Sequence, residues 1–396
     1  MKKQQFKVLK YSVGIDASSE DMKLSFSTID EKQAVTEKAS RKFNNTFSDA
    51  QQSKDWIEKY RKDKSIPVVI TIEATGTYYE SFALFLHKAG YHVSVVLASQ
   101  ARDYMKSCGL KSKTDKIDAW GLSRMGAERC LAAWQPLSEY IYRLRSLTRK
   151  RKQLNDVRTA TLNQHHATQF SMYETNEVEE VNQGLAKQLD EHIKQIDVTI
   201  DQILQEQEGL KEKVELIVDS ITGVGKLTLV TLLAETGCFE LFESISQLIG
   251  YSGYDVIEDE SGKRIGKTKI SKKGNSYIRY ALYMPALNVV RWKVKPFEDL
   301  YERVLERNPK LKKKANVAVQ RKLLIILFTL WKKGEKFDPE YKLKTIGEKE
   351  PEPSFGKKDE KIEGVGRKET SIKKVAQRAT VDRLSLRITV SLLSAM

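Results

Sequence analysis

The segment between Pro136 and Pro285 contains no proline, and glycine is rare from residue 138 to residue 218. Leucine, isoleucine and valine recur in that region every three or four residues, which is the period of an α-helix. A polar break at 168–176, TQFSMYETN, separates two such runs. The pattern predicts two long antiparallel helices, a hairpin or coiled coil. Such an arm could be purely structural, or it could dimerise and contact a phosphate backbone.

The first part of the chain has a different pattern. Alternating apolar and polar residues predict strands at 9–16 and 22–30, and apolar runs predict further strands at 67–74 and 91–98. The segment YYESFALFLHKAG between the last two strands is typical of a helix that ends at Gly90. Strands that alternate with helices after an opening meander indicate an α/β domain with a central mixed sheet, which we expect to end near residue 135.

After the long helices, the segment SITGVGKLTLVTLLAETG at 220–237 has the helix, glycine turn and helix of a helix-hairpin-helix element. Such a turn can bring backbone N–H groups to a phosphate, but an ordinary turn before a buried helix would have the same pattern. Beyond it the chain is expected to be mostly α-helical up to residue 345. The predicted organisation is an α/β domain at 1–135, a helical arm at 136–218, a third domain at 219–345, and a flexible linker and tail at 346–396.

The charge of the chain indicates its class of partner. The formal net charge is +15 and the pI is about 9.4, which favours a polyanionic partner such as nucleic acid. The longest apolar run, LLIILFTLW, is far shorter than the roughly 20 residues that span a bilayer, so we expect no membrane association. The N-terminus lacks a secretory pattern, and the three distant cysteines have no disulfide or zinc spacing. These features predict a cytoplasmic, nucleoid-associated protein with buried or inert thiols.

Acidic residues stand at the ends of the predicted elements. Asp16 ends the strand at 9–16, Glu73 lies at the end of the strand at 67–74, and Asp115 and Asp118 open a helix in KTDKIDA. If these two strands are neighbours, all of these carboxylates can converge, and oxygen ligands of this kind suit Mg²⁺ or Mn²⁺. Two such ions can clamp the attacking and leaving oxygens of a phosphodiester. The alternative for the helix is an ordinary start, with Thr114 as N-cap and Asp115 favoured by the helix dipole.

Three motifs in order, GIDAS, IEATGTYY and KTDKIDA, resemble the N-terminal DEDD domain of a transposase family of insertion sequences. The segments SITGVGKLTLVTLLAETG, LIGYSGYD and ESGKRIGKTKISKKGNSYIRYALYMPA resemble the C-terminal transposase domain of the same family. The resemblance covers about residues 11–340. It implies a RuvC-like, ribonuclease-H-type fold and an acidic tetrad of Asp16, Glu73, Asp115 and Asp118. It also implies guidance by a structured bridge RNA and a composite site across subunits of a homodimer or homotetramer.

The resemblance further implies a nucleophilic serine, which corresponds to Ser261 in DESGKRIGK. A serine hydroxyl needs a base or a metal, and no histidine lies in the third domain. Metal held by the carboxylates could supply the activation, and Lys263 and Arg264 could steady the phosphate charge. Ser271 and Ser252 are the alternative nucleophiles, and the segment could instead be a simple loop.

Two basic segments are predicted to bind nucleic acid. The arm contributes a cationic face on its first helix, and the third domain contributes lysines and arginines interleaved with aromatic residues. We expect the lysines to contact nucleic acid and the aromatic side chains to be mostly buried. The predicted contacts are Arg143, Arg149, Lys150, Arg151, Lys152, Lys226, Lys263, Arg264, Lys267, Lys269, Lys272, Lys273 and Arg279.

Three functions fit these features. The first is an RNA-guided recombinase that cuts and rejoins donor and target DNA through a serine phosphodiester, with an active site formed in trans between subunits. The second is a metal-dependent nuclease or Holliday-junction resolvase in which water is the nucleophile. The third is a non-catalytic scaffold that binds nucleic acid. A trapped covalent adduct separates the first from the second, and loss of cleavage on chelation separates both from the third.

Overall fold

A computed structural model describes residues 6–110, 114–173, 175–257, 260–261, 264–265, 269–307 and 309–340. The chain divides into two units between Pro136 and Leu137. The predicted tail at 346–396 lies outside the described residues. No helix in the described ranges is both long enough and apolar enough to cross a membrane.

The first unit contains a mixed five-stranded sheet. Its order is β3-β2-β1-β4-β5, with antiparallel pairing on the β2 side of β1 and parallel pairing on the β4 side. The α/β prediction is confirmed, including the adjacency of the first and fourth strands. The strands are β1 (Val8–Ala17), β2 (Asp21–Asp30), β3 (Val35–Asn44), β4 (Val68–Glu73) and β5 (His92–Val96).

The two faces of this sheet differ in side-chain size. Val13 and Ile15 of β1 are fully buried in a large apolar cluster with Ile70 and Ile72 of β4 and aromatic residues of the helices. Each such side chain contributes roughly 1.5–3 kcal/mol on burial, so this face supplies much of the unit's stability. The opposite face carries small residues. The helices of the unit are α1 (Phe47–Tyr60), α2 (Glu80–Lys88), α3 (Ala98–Ser107) and α4 (Asp115–Glu128).

The second unit is mostly helical, with two small antiparallel ribbons. Its helices are α5 (Glu139–Thr168), α6 (Asn176–Glu206), α7 (Leu210–Val218), α8 (Lys226–Thr236), α9 (Ile245–Ser252), α10 (Ser276–Arg291), α11 (Phe297–Arg307) and α12 (Lys312–Lys333). Strands β6 (Val256–Ile257) and β9 (Lys269–Ile270) form one ribbon, and β7 (Glu260–Ser261) and β8 (Arg264–Ile265) form the other.

The long helices α5 and α6 form an antiparallel hairpin. Arg151 and Arg158 of α5 each make a two-point ion pair to α6, with Asp197 and Asp190 respectively. The partner numbers fall as the α5 numbers rise, which defines the antiparallel direction. The base of the hairpin belongs to the same apolar core as α8, because Ile141, Ile200 and other base residues are buried in it. The arm is therefore anchored in the core of the second unit.

The segment at 220–237 contains a glycine turn and then α8, whereas the preceding helix α7 already ends at Val218, so the helix-hairpin-helix element stays a prediction. Gly223 in this turn has a φ of +97°, and a Cβ there would lie 3.0 Å from the Asn288 side chain, so only glycine fits without strain. Helix α8 is largely buried, with Leu229, Val230 and Leu233 in the core. A buried α8 is what the alternative interpretation of this segment, an ordinary turn before a buried helix, predicts. Phosphate binding by the turn stays a prediction.

Candidate functional site

Asp16 and Glu73 occupy matching positions on neighbouring parallel strands. Ile15 of β1 pairs with Ile72 of β4, and Gly14 pairs with Thr71, so the next residues along the two strands are Asp16 and Glu73. Side chains alternate between the faces of a sheet, which places Asp16 on the face of Gly14 and Glu73 on the face of Thr71. Both carboxylates therefore project from the small-residue face, at the edge where β1 and β4 end.

Helix α4 lies on that same face in direct backbone contact with β1. A Cβ atom on Gly14 would lie 2.0 Å from the carbonyl oxygen of Ala119 and 2.1 Å from the amide nitrogen of Ser123. Further along α4, a Cβ atom on Gly126 would lie 2.6 Å from Ser12 Oγ. No side chain larger than a hydrogen atom fits at either glycine. The two glycines allow the helix to rest on the strand, and Ser123 also hydrogen-bonds to Ser27 at 2.8 Å.

This packing brings the start of α4 to the acidic edge. Gly126 lies over Ser12 and Ala119 lies over Gly14, so the helix runs toward Asp16 as its residue numbers fall. Asp115 and Asp118 are in the first turn, and their spacing from Ala119 and Leu122 puts them on the sheet-facing stripe. Thr114 caps the helix by accepting a hydrogen bond from the Ile117 amide at 3.3 Å. The Thr114 cap is thus compatible with acidic residues in the same first turn, and convergence of all the acids on one metal site stays a prediction.

Two lysines border the acidic edge, and sequence reasoning missed both. Lys23 of β2 lies opposite Asp16 of β1 and also opposite Lys42 of β3. Lys42 forms an ion pair with Asp21 at 2.6 Å, and the hydrogen bond to Asp21 raises the pKa of Lys42, with a smaller contribution from the charge of Asp115. Their position depends on the register of three strands, so no local sequence signal indicates them. Lys23 adds positive charge beside the acidic edge, whereas the charge of Lys42 is engaged by Asp21.

Two of the carboxylates come from strand ends and two come from the first turn of α4. Among the described residues, no group of three or more His, Cys, Asp or Glu side chains is close enough to hold a metal ion. Mg²⁺ typically takes one or two carboxylates and completes its shell with water and substrate phosphate. The adjacent positions of Asp16 and Glu73, and the single turn that carries Asp115 and Asp118, fit that mode of binding.

The predicted serine lies on the second small ribbon of the other unit. Ser261 ends β7 and pairs with Arg264 at the start of β8, while Lys263 and Lys267 lie outside the described residues. The two alternative serines have defined hydrogen bonds. Ser252 is fully buried and donates to the Leu248 carbonyl oxygen at 2.8 Å, so a substrate has no access to it. Ser271 is part-buried and donates to the Asp255 carboxylate.

Several predicted basic contacts on the arm are engaged within the protein. Arg149 makes a two-point ion pair to Glu235, with both distances 2.7 Å, and the hydrogen bonds to Glu235 raise the pKa of Arg149. Arg151 pairs with Asp197 in the same way. Further ion pairs join Lys152 to Asp156 and Lys226 to Asp201, and a longer one of 4.0 Å joins Arg143 to Glu206. Lys150, also on α5, is exposed.

The basic segment of the second unit is exposed. Lys269, Lys272 and Lys273 are exposed, whereas Arg279 donates to the Ser252 carbonyl oxygen at 2.8 Å. The expectation that the aromatic residues here are mostly buried is wrong. Tyr280 and Tyr283 are each 48% exposed and Trp292 is 64% exposed. The core beside α10 is filled instead by Ile278, Leu282 and neighbouring aliphatic residues.

The three thiols also differ from one another in exposure, since Cys130 is exposed and Cys238 is buried.

The chain is similar to known transposase proteins along most of its length. The profile of the IS116/IS110/IS902 transposase family matches residues 216–302, and a DEDD transposase profile of the IS110 type matches residues 13–170. The pilin gene-inverting proteins of Moraxella bovis and Moraxella lacunata are each 31% identical over 306 residues, which is 74% of this chain and 90% of theirs. The acidic residues lie within the first matched range and Ser261 within the second.

Similarity to solved structures is much weaker. Thermus thermophilus RuvC in complex with a Holliday junction substrate covers 30% of this chain and 93% of its own, at 11% identity and a TM-score of 0.23. A Ppx/GppA family protein from Aquifex aeolicus covers 86% of this chain and 99% of its own, at 12% identity and a TM-score of 0.19. Scores this low support no conclusion about the fold or the function. The sequence matches do: the chain belongs to the IS116/IS110/IS902 family of transposases.

Proposed function

We propose that this chain is an RNA-guided DNA recombinase of an insertion sequence that cuts and rejoins strands through a serine phosphodiester. The observation that carries the proposal is the seating of α4 on β1 through Gly14, which brings both acidic pairs to one edge of the sheet. Family membership and the net charge of +15 support DNA as substrate and a guide RNA as partner. The relatives are named for gene inversion, which is a recombination reaction.

In this proposal Asp16, Glu73, Asp115 and Asp118 hold divalent metal, Mg²⁺ or Mn²⁺. Bound metal would lower the pKa of a hydroxyl and polarise the phosphate. Asp16 and Glu73 offer oxygens from adjacent strands, and the first turn of α4 offers two more. Lys23, opposite Asp16, attracts the DNA phosphate to that edge.

Ser261 is the proposed nucleophile. Its Oγ forms a bond to phosphorus while one P–O bond of the DNA strand breaks, and the serine proton ends on the hydroxyl of the departing strand. A hydroxyl of the second DNA strand then attacks the same phosphorus and returns the serine to its free form with its proton. The number of phosphodiester bonds is conserved, so no external energy source or redox partner is needed.

The deciding experiment compares Asp115→Asn with Asp55→Asn, an exposed aspartate of α1 that removes the same charge away from the site. Asp115→Asn should abolish strand cleavage and leave nucleic-acid binding intact or stronger, because one negative charge is removed. Asp55→Asn should cleave normally. Normal cleavage by Asp115→Asn would exclude this acidic site.

A second measurement tests the serine. The unaltered protein incubated with DNA and Mg²⁺ should yield a covalent protein–DNA adduct that survives denaturing gel electrophoresis, and Ser261→Ala should yield none. Cleavage by Ser261→Ala without an adduct would favour the water-dependent nuclease or resolvase.

A further inference from the structure

A cavity of about 800 Å³ lies in the second unit among helices α5, α8, α10 and α12. This volume falls within the roughly 300–1,000 Å³ that small-molecule sites occupy. The cavity involves neither the acidic edge of the first unit nor Ser261. Six of its lining side chains are lysine or arginine, and none of the described lining residues is aspartate or glutamate.

The inner wall carries a polar side chain with no partner. Asn316 of α12 is only 3% exposed, and neither its Oδ1 nor its Nδ2 has a hydrogen-bond partner among the described residues. An unpaired buried amide is unfavourable, so such groups usually have a ligand or water. Gln320, one turn further along α12, also lines the cavity, and its Oε1 accepts a hydrogen bond from Tyr254 at 2.8 Å. Asn316 lines the cavity, and because both amide atoms are almost fully covered, a small rotation of the side chain is needed to offer its donor and acceptor to a bound molecule.

Aromatic rings form a second wall. Tyr277, Tyr280 and Met284 are spaced at i, i+3 and i+7 along α10, which places them on one stripe, and all three line the cavity. Cations already stack on two of the rings, with Arg149 4.6 Å from the centre of Tyr277 and Lys152 Nζ 4.5 Å from the centre of Tyr280. Tyr280 is still 48% exposed, so ring surface is available for a flat ligand.

The rim supplies positive charge. Lys312 and Lys313 open α12, one turn before Asn316, and both are exposed. Lys272 lines the cavity from another segment and is exposed as well. Lys312 and Lys313 precede Asn316 by about one helical turn along α12, so an anion held by these lysines would lie toward the start of α12 from the Asn316 amide. A phosphate at the rim, a flat ring against tyrosine and an amide at the base together match the parts of a nucleotide.

We propose that this cavity binds one unstacked nucleotide of a single strand, with its base against Tyr280 and its base edge on Asn316. An asparagine amide matches the donor and acceptor of adenine, N6–H and N7, so adenine is the expected base. Stacking on an aromatic ring and phosphate contacts from lysine are the usual means of holding single strands. The inference rests on the proposed function only in that both require nucleic acid.

The test uses the full chain and ten-nucleotide single strands labelled for fluorescence anisotropy. One strand contains only pyrimidines, and the other has a single central adenine, each prepared as RNA and as DNA. The strand with adenine should bind more tightly than the pyrimidine strand. If this difference in affinity is larger for RNA, the bound nucleotide comes from RNA, and if it is larger for DNA, it comes from DNA. Tyr280→Ala should weaken its binding by roughly 5- to 100-fold, the change expected for one stacked base.

Asn316→Leu separates a binding role from a structural one. Because it removes an unpaired buried amide at similar volume, it should leave the melting temperature unchanged or raised, yet abolish the preference for adenine. Matched controls are Asn182→Leu on α6, a second buried asparagine, and Tyr173→Ala near the arm tip, and both should bind like the unaltered protein.

Three results would overturn the proposal: equal affinity for both strands, unchanged adenine preference in Asn316→Leu, or weakening in the controls as large as that in the cavity variants. A protein that recombines DNA but shows no adenine preference would refute the cavity assignment alone. A protein that shows the preference but forms no adduct would refute the recombinase assignment alone.

Discussion

Arg149 of α5 and Glu235 of α8 form a two-point ion pair in which the Glu235 side chain is fully buried and the Arg149 side chain is 38% exposed. Asn275 also donates to Glu235 Oε2, at 2.7 Å. The pair ties the base of the helical arm to the core helix of the same unit. Arg149 therefore has a structural role, whatever its contact with nucleic acid.

Replacing Arg149 by methionine should destabilise the second unit. Removal of one partner of a buried pair typically costs about 3–5 kcal/mol, and partial exposure of Arg149 reduces the expected cost to about 2–3 kcal/mol. Chemical denaturation measures the change, with Lys150→Met, the exposed neighbour, as control. If both variants unfold at the same denaturant concentration as the unaltered protein, the pair contributes nothing to stability.

Gly14→Ala should displace α4 from the sheet. The added methyl group would lie 2.0 Å from the Ala119 carbonyl oxygen, an overlap that only backbone movement can relieve. We expect a decrease of about 1–3 kcal/mol in stability and a loss of cleavage, because Asp115 and Asp118 move with the helix. Gly184→Ala on α6 is the matched control. Nothing lies within 4 Å of the added atom there, so it should stabilise the chain by about 0.5–1 kcal/mol.

Normal cleavage by Gly14→Ala at unchanged stability would show that the close approach of strand and helix is dispensable. Abolished cleavage at unchanged stability would instead assign Gly14 to the alignment of the acidic edge alone.

How far the sequence predicts the site depends on how local each signal is. The strand-end positions of Asp16 and Glu73 and the Thr114 cap are local patterns, and the structure has these elements where they were expected. The sequence patterns predict neither β3 nor α1. For β3 the reason is that Val35–Asn44 is largely polar and exposed at the sheet edge. An edge strand with few buried residues lacks the alternation that reveals a strand.

Long-range partner choice is not predictable in this way. The basic face of α5 is visible in the sequence, but the partner of Arg149 is 86 residues away and that of Arg151 is 46 residues away. Likewise, the three-residue spacing of Tyr277 and Tyr280 is equally typical of residues that face a core and of residues that line a cavity. Packing of α12 against α10 decides between the two.

The salt dependence of nucleic-acid binding should separate free cations from paired ones. Removing one cation that binds a phosphate reduces the slope of log K against log[salt] by roughly 0.7–0.9. Lys150→Met and Lys273→Met should each reduce the slope by about that amount, since both residues are exposed. Arg151→Met should not, because its guanidinium is engaged by Asp197. A flat plot for the unaltered protein would contradict the proposed basic surfaces. Equal slopes for all three variants would contradict the distinction between the exposed lysines and the paired Arg151.

The last prediction concerns which chain supplies the serine. The acidic residues lie in the first unit and Ser261 in the second, and the helices of the intervening arm are long. At 1.5 Å per residue, the 30 residues of α5 extend roughly 45 Å. Because α6 returns antiparallel to the same core, the hairpin projects from the second unit and does not separate the two units of one chain. A projecting hairpin can pair with that of a second chain, so we expect the active site to form in trans in a homodimer or homotetramer.

Mixing Ser261→Ala protein with Asp115→Asn protein should then restore part of the activity that each variant lacks alone. In a mixed dimer, one of the two sites receives an intact serine from one chain and an intact acidic set from the other. Adduct formation on labelled DNA measures the recovery, and differently tagged chains show by co-purification that mixed dimers are present. The double variant Asp115→Asn/Ser261→Ala mixed with unaltered protein is the control, because no mixed dimer then has a complete site in trans. Mixed dimers that form but remain inactive in the first experiment would place the serine and the carboxylates of each site on the same chain.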